Sequence, residues 1–275
     1  MKVSIQGYEG SFHQEAAMKF FGNEVEIIPC ASFREVIQAA QHQENCDGAV
    51  MAIENSIVGS ILPNYQLLQK SKLHIVGEVY LHISQNLMVN PGVALSDLQE
   101  IHSHPMALQQ CMDFLNAYPW KLVETEDTAG SAQQLQVKGY RHVAAIGSLL
   151  AAKRYQLEVV ASNIQTHQKN YTRFLILHRS LPEHTLQTAN KASVQFHTDH
   201  TRGSLANVLQ HMAQEGINLS KLQSVPISNE AFRYSFHADM EFEDIVHFQN
   251  AIASMGKCTV ALHVYGIYQK GNYQI

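Results

Sequence analysis

Cysteine, tryptophan and clustered charge are all scarce in this chain. Its four cysteines, Cys30, Cys46, Cys111 and Cys258, are scattered through 275 residues and match no metal-ligand spacing. They read as reduced, partly buried thiols of a cytoplasmic protein, not as a disulfide framework. No apolar window approaches the roughly 18 residues needed to span a bilayer. The opening MKVSIQGYEGSF has no basic leader and no apolar h-region, so neither export nor membrane attachment is expected. Net charge is −5 and Lys and Arg are unclustered, which argues against nucleic acid as a partner. Sixteen histidines raise the question of metal. Yet there is no H-E-x-x-H, and no predicted helix carries a pair of His one turn apart backed by a carboxylate; no metal is expected. A G-x-S-x-G elbow and a P-loop are also missing, and GYEG is only half of a dinucleotide fingerprint. No cofactor is expected.

What is present is alternation. Up to about residue 180, short apolar strands lead through polar loops into helices: KVSIQ (2–6) into HQEAAMKFF, GAVMAI (48–53) into ILPNYQLLQK, LQEIHS (98–103) into MALQQCMDFLNAY, and RHVAAI (141–146) into LLAAKRYQL. Pro63 has to lie in the first turn of its helix, where a missing N–H costs little. Strand–helix alternation predicts a largely parallel, helix-covered sheet with ligands at the carboxyl ends of its strands. A polar stretch with Pro182, HRSLPEHTLQTANK (178–191), reads as a linker. Beyond it SVQFHT, GSLANVLQHMAQEG, INLSKLQSVPI, RYSFHADMEF, EDIVHFQNAIASMG and CTVALHVYGIY give the order β-α-β-β-α-β, a split βαβ domain of its own.

The loops at the predicted carboxyl edge carry the chemistry. Ser11 opens SFHQ, a capping box that brings backbone N–H groups beside it. His104-Pro105 and Gly147-Ser148 start two further helices. Helix N-termini favour anions, so several facing one crevice suit a small dicarboxylate. The apolar AVMAI runs without a turn residue into Glu54-Asn55-Ser56: Asn55 and Ser56 supply polar donors, and Glu54 reads either as a solvated loop carboxylate or as a proton-transfer group. NYTRFLIL (170–177) places a hydroxyl and a guanidinium, Thr172 and Arg173, at the head of an apolar strand. By itself this head reads either as an exposed strand end or as part of a site.

Taken together, these motifs resemble one family. IQGYEGSFHQEAA is similar to the G-P-x-G-T-F-S-x-x-A-A of prephenate dehydratases, AIENSIVGSI to their P-I-E-N-S-x-x-G, HSHPMALQQC to S-H-P-Q-A-L-x-Q-C, DTAGSA (127–132) to D-T-A-x-A-A, and NYTRFLIL to N-x-T-R-F-L-V-L. GSLANVL and GINLSKLQSVP resemble the G-A-L-x-x-x-L and G-I-N-L-x-K-I-E-S-R-P of an ACT regulatory domain. The matches run in family order over nearly the whole chain.

The resemblance implies an α/β fold. A two-lobed, periplasmic-binding-protein-like catalytic domain would occupy residues 1–180, with lobe 1 at about 1–80 and 165–180 and lobe 2 at about 81–164. A linker would follow at 181–192, and a βαββαβ ferredoxin-like ACT domain at 193–275. It implies decarboxylative dehydration of prephenate to phenylpyruvate, with no electron-sink cofactor, because the ring carboxylate supplies the electrons. The family's essential threonine maps onto Thr172, with Ser11, Asn55, Ser56, His104, Arg173 and Phe174 as the other site candidates. Arg173 would either pair with a carboxylate or brace the cleft, and Phe174 would wall the site. Phenylalanine would bind the ACT segments at Gly203, Ser204, Leu205, Ala206, Asn218, Leu219, Gln223, Ser224, Val225 and Pro226, and ACT pairing implies a homodimer or tetramer.

Several departures stand out. Met106 replaces the Gln of S-H-P-Q, Gln223 and Val225 replace the Glu and Arg of E-S-R-P, and Ala206 stands where G-A-L-V has Val. Three rival readings stay open: arogenate dehydratase, a non-catalytic solute-binding protein, and an amino-acid-sensing regulator.

Overall fold

A computed structural model describes residues 1–181, 188–199, 201–227 and 233–272. The chain forms two compact units: residues 1–59 with 79–174, and residues 60–78 with 175–272. Among the described residues no helix is long and apolar enough to cross a membrane.

The first half begins as the alternation predicts. β1 (Lys2–Gln6), α1 (Phe12–Phe21), β2 (Glu26–Cys30), α2 (Phe33–His42) and β3 (Gly48–Asn55) follow in order. β1 pairs in parallel with both β2 and β3. Ser11 caps α1 by accepting the Gln14 N–H. The Gln14 amide closes the box one residue early, on the Gly10 N–H at 2.7 Å. Then come the two-residue β4 (Gly59–Ser60), α3 (Leu62–Lys70) with Pro63 in its first turn, and β5 (His74–His82). The sheet order is β2-β1-β3-β11-β5, where β11 is Tyr171–His178.

Between β5 and β11 the chain builds a second sheet. Its elements are β6 (Asn86–Val89), β7 (Glu100–Ser103), α4 (Pro105–Gln110), α5 (Met112–Leu115), β8 (Lys121–Glu124), α6 (Thr128–Lys138), β9 (Val143–Gly147), α7 (Leu149–Arg154) and β10 (Glu158–Ala161). The order is β10-β6-β9-β7-β8. Here the parallel expectation holds only for β7 with β8 and β9; β6 runs antiparallel to β9 and β10. Leu87, Val89, Ile101, Leu108, Cys111 and Ile146 fill one side of this sheet, and Met88, Ala132, Leu135, Ala145 and Ala151 the other.

The single helix expected over MALQQCMDFLNAY is interrupted at Cys111. The Gln110 carbonyl accepts the Thr166 N–H at 2.8 Å and the Cys111 N–H bonds back three residues to Leu108. A distant segment has taken the acceptor that the α-helical ladder would use.

In the second unit, β12 (Lys191–His197), α8 (Ser204–Gln214), β13 (Asn218–Pro226), β14 (Tyr234–Glu241), α9 (Ile245–Met255) and β15 (Ala261–Tyr268) keep the order β-α-β-β-α-β. The sheet is β13-β14-β12-β15 and antiparallel throughout. Val194, Phe196, Val208, Met212, Met240, Phe248 and Met255 form its core. β12 takes up Lys191 and Ala192, both buried, which the sequence reading left in the linker. Linker residues 182–187 lie outside the described residues.

Candidate active site

β3 and β11 bring their polar ends together. Asn55, the last residue of β3, donates through Nδ2 to Thr172 Oγ1 at 3.0 Å and to Asn170 Oδ1 at 2.7 Å. Its Oδ1 accepts the N–H groups of Ile57 at 2.9 Å and Val58 at 3.1 Å. Those two backbone donors fix which end of the amide is oxygen, so the Asn55–Thr172 bond has one polarity. The Thr172 oxygen accepts, and the hydroxyl keeps its own proton to give. Ser56 clamps the same corner: its N–H donates to Tyr171 O at 2.8 Å, and its Oγ receives the Tyr171 N–H at 2.9 Å.

Behind Asn170 runs a chain of amides that sequence reasoning missed. Asn170 is fully buried, donates to Gln110 Oε1 at 3.2 Å, and accepts the Ile83 N–H on its carbonyl at 2.8 Å. Gln85 donates from its side chain to the same Gln110 oxygen at 3.4 Å and from its backbone to Gln165 Oε1 at 2.9 Å. This ladder stitches the outgoing segment 83–86 to the returning segment 162–170, with Ile164 N–H on Gln85 O at 2.9 Å. Gln110 and Asn170 both lie within quoted motifs, but nothing in their local spacing shows that they meet.

Strand alternation places Thr172 and Phe174 on one face of β11 and Arg173 on the other. Arg173 is buried. Phe174 meets the His13 ring edge-on at 5.0 Å between centroids, and His13 also lies 5.4 Å from Phe33. Burial holds the His13 imidazole down at about 4, so it is neutral at pH 7. Its Nε2 is buried without a hydrogen-bond partner among the described residues. α1 thus links Ser11, two residues before His13, to the wall beside Thr172.

His104 caps α4, its Nδ1 accepting the Met106 N–H at 3.2 Å. It stands about 9 Å along the helix axis from Gln110, at 1.5 Å per residue. The expected helix N-termini are largely engaged by the protein itself. Asp127 caps α6, and Ser148 caps α7 while donating to Gly10 O at 2.6 Å. Glu15 reaches Ser148 and the Leu150 N–H, and burial raises its carboxyl above the usual range despite them. Gly10 has φ +89°, and a Cβ there would lie 2.7 Å from the Ala151 Cα. No larger residue fits that approach. Burial lifts the thiols of Cys30 to about 11 and Cys111 to about 12, so neither is a nucleophile at neutral pH.

Of the second-unit candidates, Gly203 (φ +83°) is the N-cap of α8 and Ser204, Leu205 and Ala206 form its first turn. Asn218 and Leu219 begin β13, and Gln223, Ser224, Val225 and Pro226 end it, paired with Tyr234–His237 of β14. Asn218 lines a hollow of about 490 Å³ with Glu241, His247 and Lys270. Val225 is completely buried, and Gln223 turns its amide onto the Ser224 carbonyl.

Known proteins share this chain's pattern. Residues 3–181 match the family model for prephenate dehydratase. Arogenate dehydratase/prephenate dehydratase 1 of Arabidopsis thaliana is 37% identical over 98% of this chain and 69% of its own length. The bifunctional chorismate mutase/prephenate dehydratase of Enterobacter agglomerans is 33% identical over 98% of this chain and 71% of its own. The solved prephenate dehydratase of Arthrobacter aurescens, in complex with L-Phe, superposes with a TM-score of 0.85 at 28% identity. That match covers 98% of this chain and 90% of the other.

Proposed function

The chain belongs to the prephenate dehydratase family, and on that premise we propose that Thr172 and the amides behind it carry out its reaction. That reaction is the decarboxylative dehydration of prephenate to phenylpyruvate, carbon dioxide and water, and the enzyme is a lyase. One C–C bond breaks as the ring carboxylate leaves as CO2, its electron pair enters the ring, and the C–O bond to the ring hydroxyl breaks. The departing hydroxide takes one proton and leaves as water. The protein has to orient the dianion and assist that departure.

The polarity of the Asn55–Thr172 bond carries this reading. Asn55 holds the Thr172 oxygen as an acceptor, which leaves the Thr172 hydrogen free to be donated to the leaving group. A threonine hydroxyl is a weak acid, so its donation is relayed from solvent or strongly supported by surrounding dipoles. Ser56 and Asn170 fix the corner, Ser11 and His104 supply further polar contacts to the substrate, and Phe174 walls the ring. Arg173, buried on the other face of β11, braces the lobe.

Residues 193–275 form an ACT domain that binds L-phenylalanine and lowers turnover, through Gly203–Ala206, Asn218, Leu219 and Gln223–Pro226. The Arthrobacter relative's complex with L-Phe supports this. Val225, buried where E-S-R-P has arginine, offers the effector no charge, so the effector's charged ends are held by main-chain groups and Asn218. β13 is an edge strand of nine residues, a template for pairing with a second copy into a dimer or tetramer. The protein works in the cytoplasm.

Arogenate is the second reading, favoured by the plant relatives that carry that name. The two substrates differ only at the side-chain carbonyl or amine. Specificity constants for both substrates decide between them: a ratio favouring prephenate supports the first reading, and turnover of arogenate alone overturns it.

A further inference from the structure

Residues 60–78 lie in the same compact unit as the βαββαβ sheet and meet all four of its strands. Two anchors hold them. At one, Lys221 of β13 donates to Ser60 Oγ at 2.8 Å and sits 5.7 Å above the Tyr65 ring. The Tyr65 ring in turn meets His237 of β14 edge-on at 4.9 Å. At the other, Lys191 of β12 donates to both oxygens of Glu78 at 3.0 Å. Their side chains are 1% and 0% exposed. Glu78 also accepts the Gly271 N–H at 3.0 Å. Between the anchors β15 comes so close that a methyl group on Gly266 would overlap the Ile75 carbonyl.

The chain positions of these anchors matter. Ser60 follows Asn55 by five residues, and Glu78 precedes Ile83 by five. Asn55 holds Thr172, and the Ile83 N–H holds the Asn170 carbonyl. Both ends of the anchored segment therefore feed into the hydrogen bonds that set the Thr172 hydroxyl. Lys221, moreover, lies within β13, between Asn218 and Gln223.

We propose that residues 60–78, clamped at Lys221–Ser60 and Lys191–Glu78, relay effector binding on the sheet to Asn55 and Asn170, and that Glu78 and Lys191 are positioning residues of this relay. The inference rests on the reading of the sheet as a phenylalanine-binding domain. A shift of β12 or β13 draws the segment with it, because parting the buried pair strands the Glu78 carboxylate from the Lys191 ammonium, which keeps Glu241 at 3.9 Å. Coupling of this kind typically changes affinity or activity by about 5- to 150-fold.

The test uses the full chain and two readouts, equilibrium dialysis of labelled L-phenylalanine and its inhibition of phenylpyruvate formation. The Glu78→Leu/Lys191→Met double variant replaces the pair by apolar groups of similar volume and keeps the fold. Ser60→Ala, which removes the acceptor at the other, part-buried anchor without leaving a buried charge unpaired, decides the matter if the double variant is insoluble. The expected result is uninhibited turnover within about threefold of wild type and L-phenylalanine binding within about threefold. The concentration needed for half-inhibition rises by about tenfold or more, or inhibition disappears. Unchanged inhibition in the variants, with wild type inhibited, overturns the relay alone. Loss of binding along with inhibition also overturns it, since the pair then shapes the effector site itself. A wild type that neither binds nor responds to L-phenylalanine overturns the regulatory reading and the relay with it.

Discussion

Asn55 and Thr172, 117 residues apart in sequence, meet through a 3.0 Å hydrogen bond in which the asparagine amide is the donor. The direction of that bond decides what the threonine can do. Asn55→Asp reverses it: a carboxylate accepts, and the Thr172 proton turns toward the enzyme instead of the substrate. We expect kcat to fall by about 10²-fold or more with KM little changed, the pattern of an interaction made in the transition state. Asn55→Ala, which removes the partner without reversing the bond, should retain more activity than Asn55→Asp. Equal losses would deny the polarity a role.

Asn170 predicts a loss of both stability and rate. Truncation to alanine leaves the Asn55 amide and Gln110 short of a partner in a buried setting. The expected cost is about 1–3 kcal/mol in urea unfolding, with a clear drop in kcat. Gln110→Ala, half-buried and further from Thr172, should destabilise less. If Asn170→Ala matches wild type in both measurements, the ladder does not position the site.

Much of this architecture was legible in the sequence, and the physics separates what was from what was not. The Ser11 cap, Pro63 in a first turn, Pro105 after His104 and the β-α-β-β-α-β order all depend on residues within one turn or strand of each other. The break at Cys111 depends on Thr166, more than fifty residues later, and the Asn170–Gln110 and Lys191–Glu78 pairs on partners 60 and 113 residues away. Periodicity carries no signal for such contacts. The antiparallel setting of β6 was hidden for a related reason: an apolar strand reads alike in either direction, and its partners β9 and β10 lie more than fifty residues later in the chain. The family motifs pointed to Thr172 and Asn55 as separate candidates, but not to the bond between them.

Acid should destabilise the fold through its neutral histidines. Burial lowers His13 and His237 to about 4 from an ordinary 6.5. A depressed imidazole means that the unfolded chain protonates first. Its stabilising contribution is present above pH 6.5 and is lost as pH falls toward 4, at about 1.4 kcal/mol per pH unit for each histidine. Glu15 and Asp127, both raised by burial, act in the opposite direction, so the prediction concerns a difference. Between pH 7 and 5, wild type should lose about 2 kcal/mol more stability than His237→Phe in urea titrations. Parallel curves would contradict it.

Gly10 predicts a severe local effect. Its φ of +89° and the 2.7 Å approach of a Cβ to the Ala151 Cα leave alanine both strained and overlapping backbone. Gly10→Ala should destabilise by about 2 kcal/mol or more and weaken the Ser148–Gly10 bond that joins the loop to α7. Thermal unfolding checks it, and an unchanged Tm would mean that the loop can move aside.

The most direct test of the account is phenylpyruvate formation from prephenate by purified wild type, Thr172→Ser and Thr172→Ala. The account predicts rapid wild-type turnover, partial activity in the serine variant, which keeps the hydroxyl, and a loss of about 10²-fold or more in the alanine variant. Alanine activity within threefold of a competent wild type would contradict it.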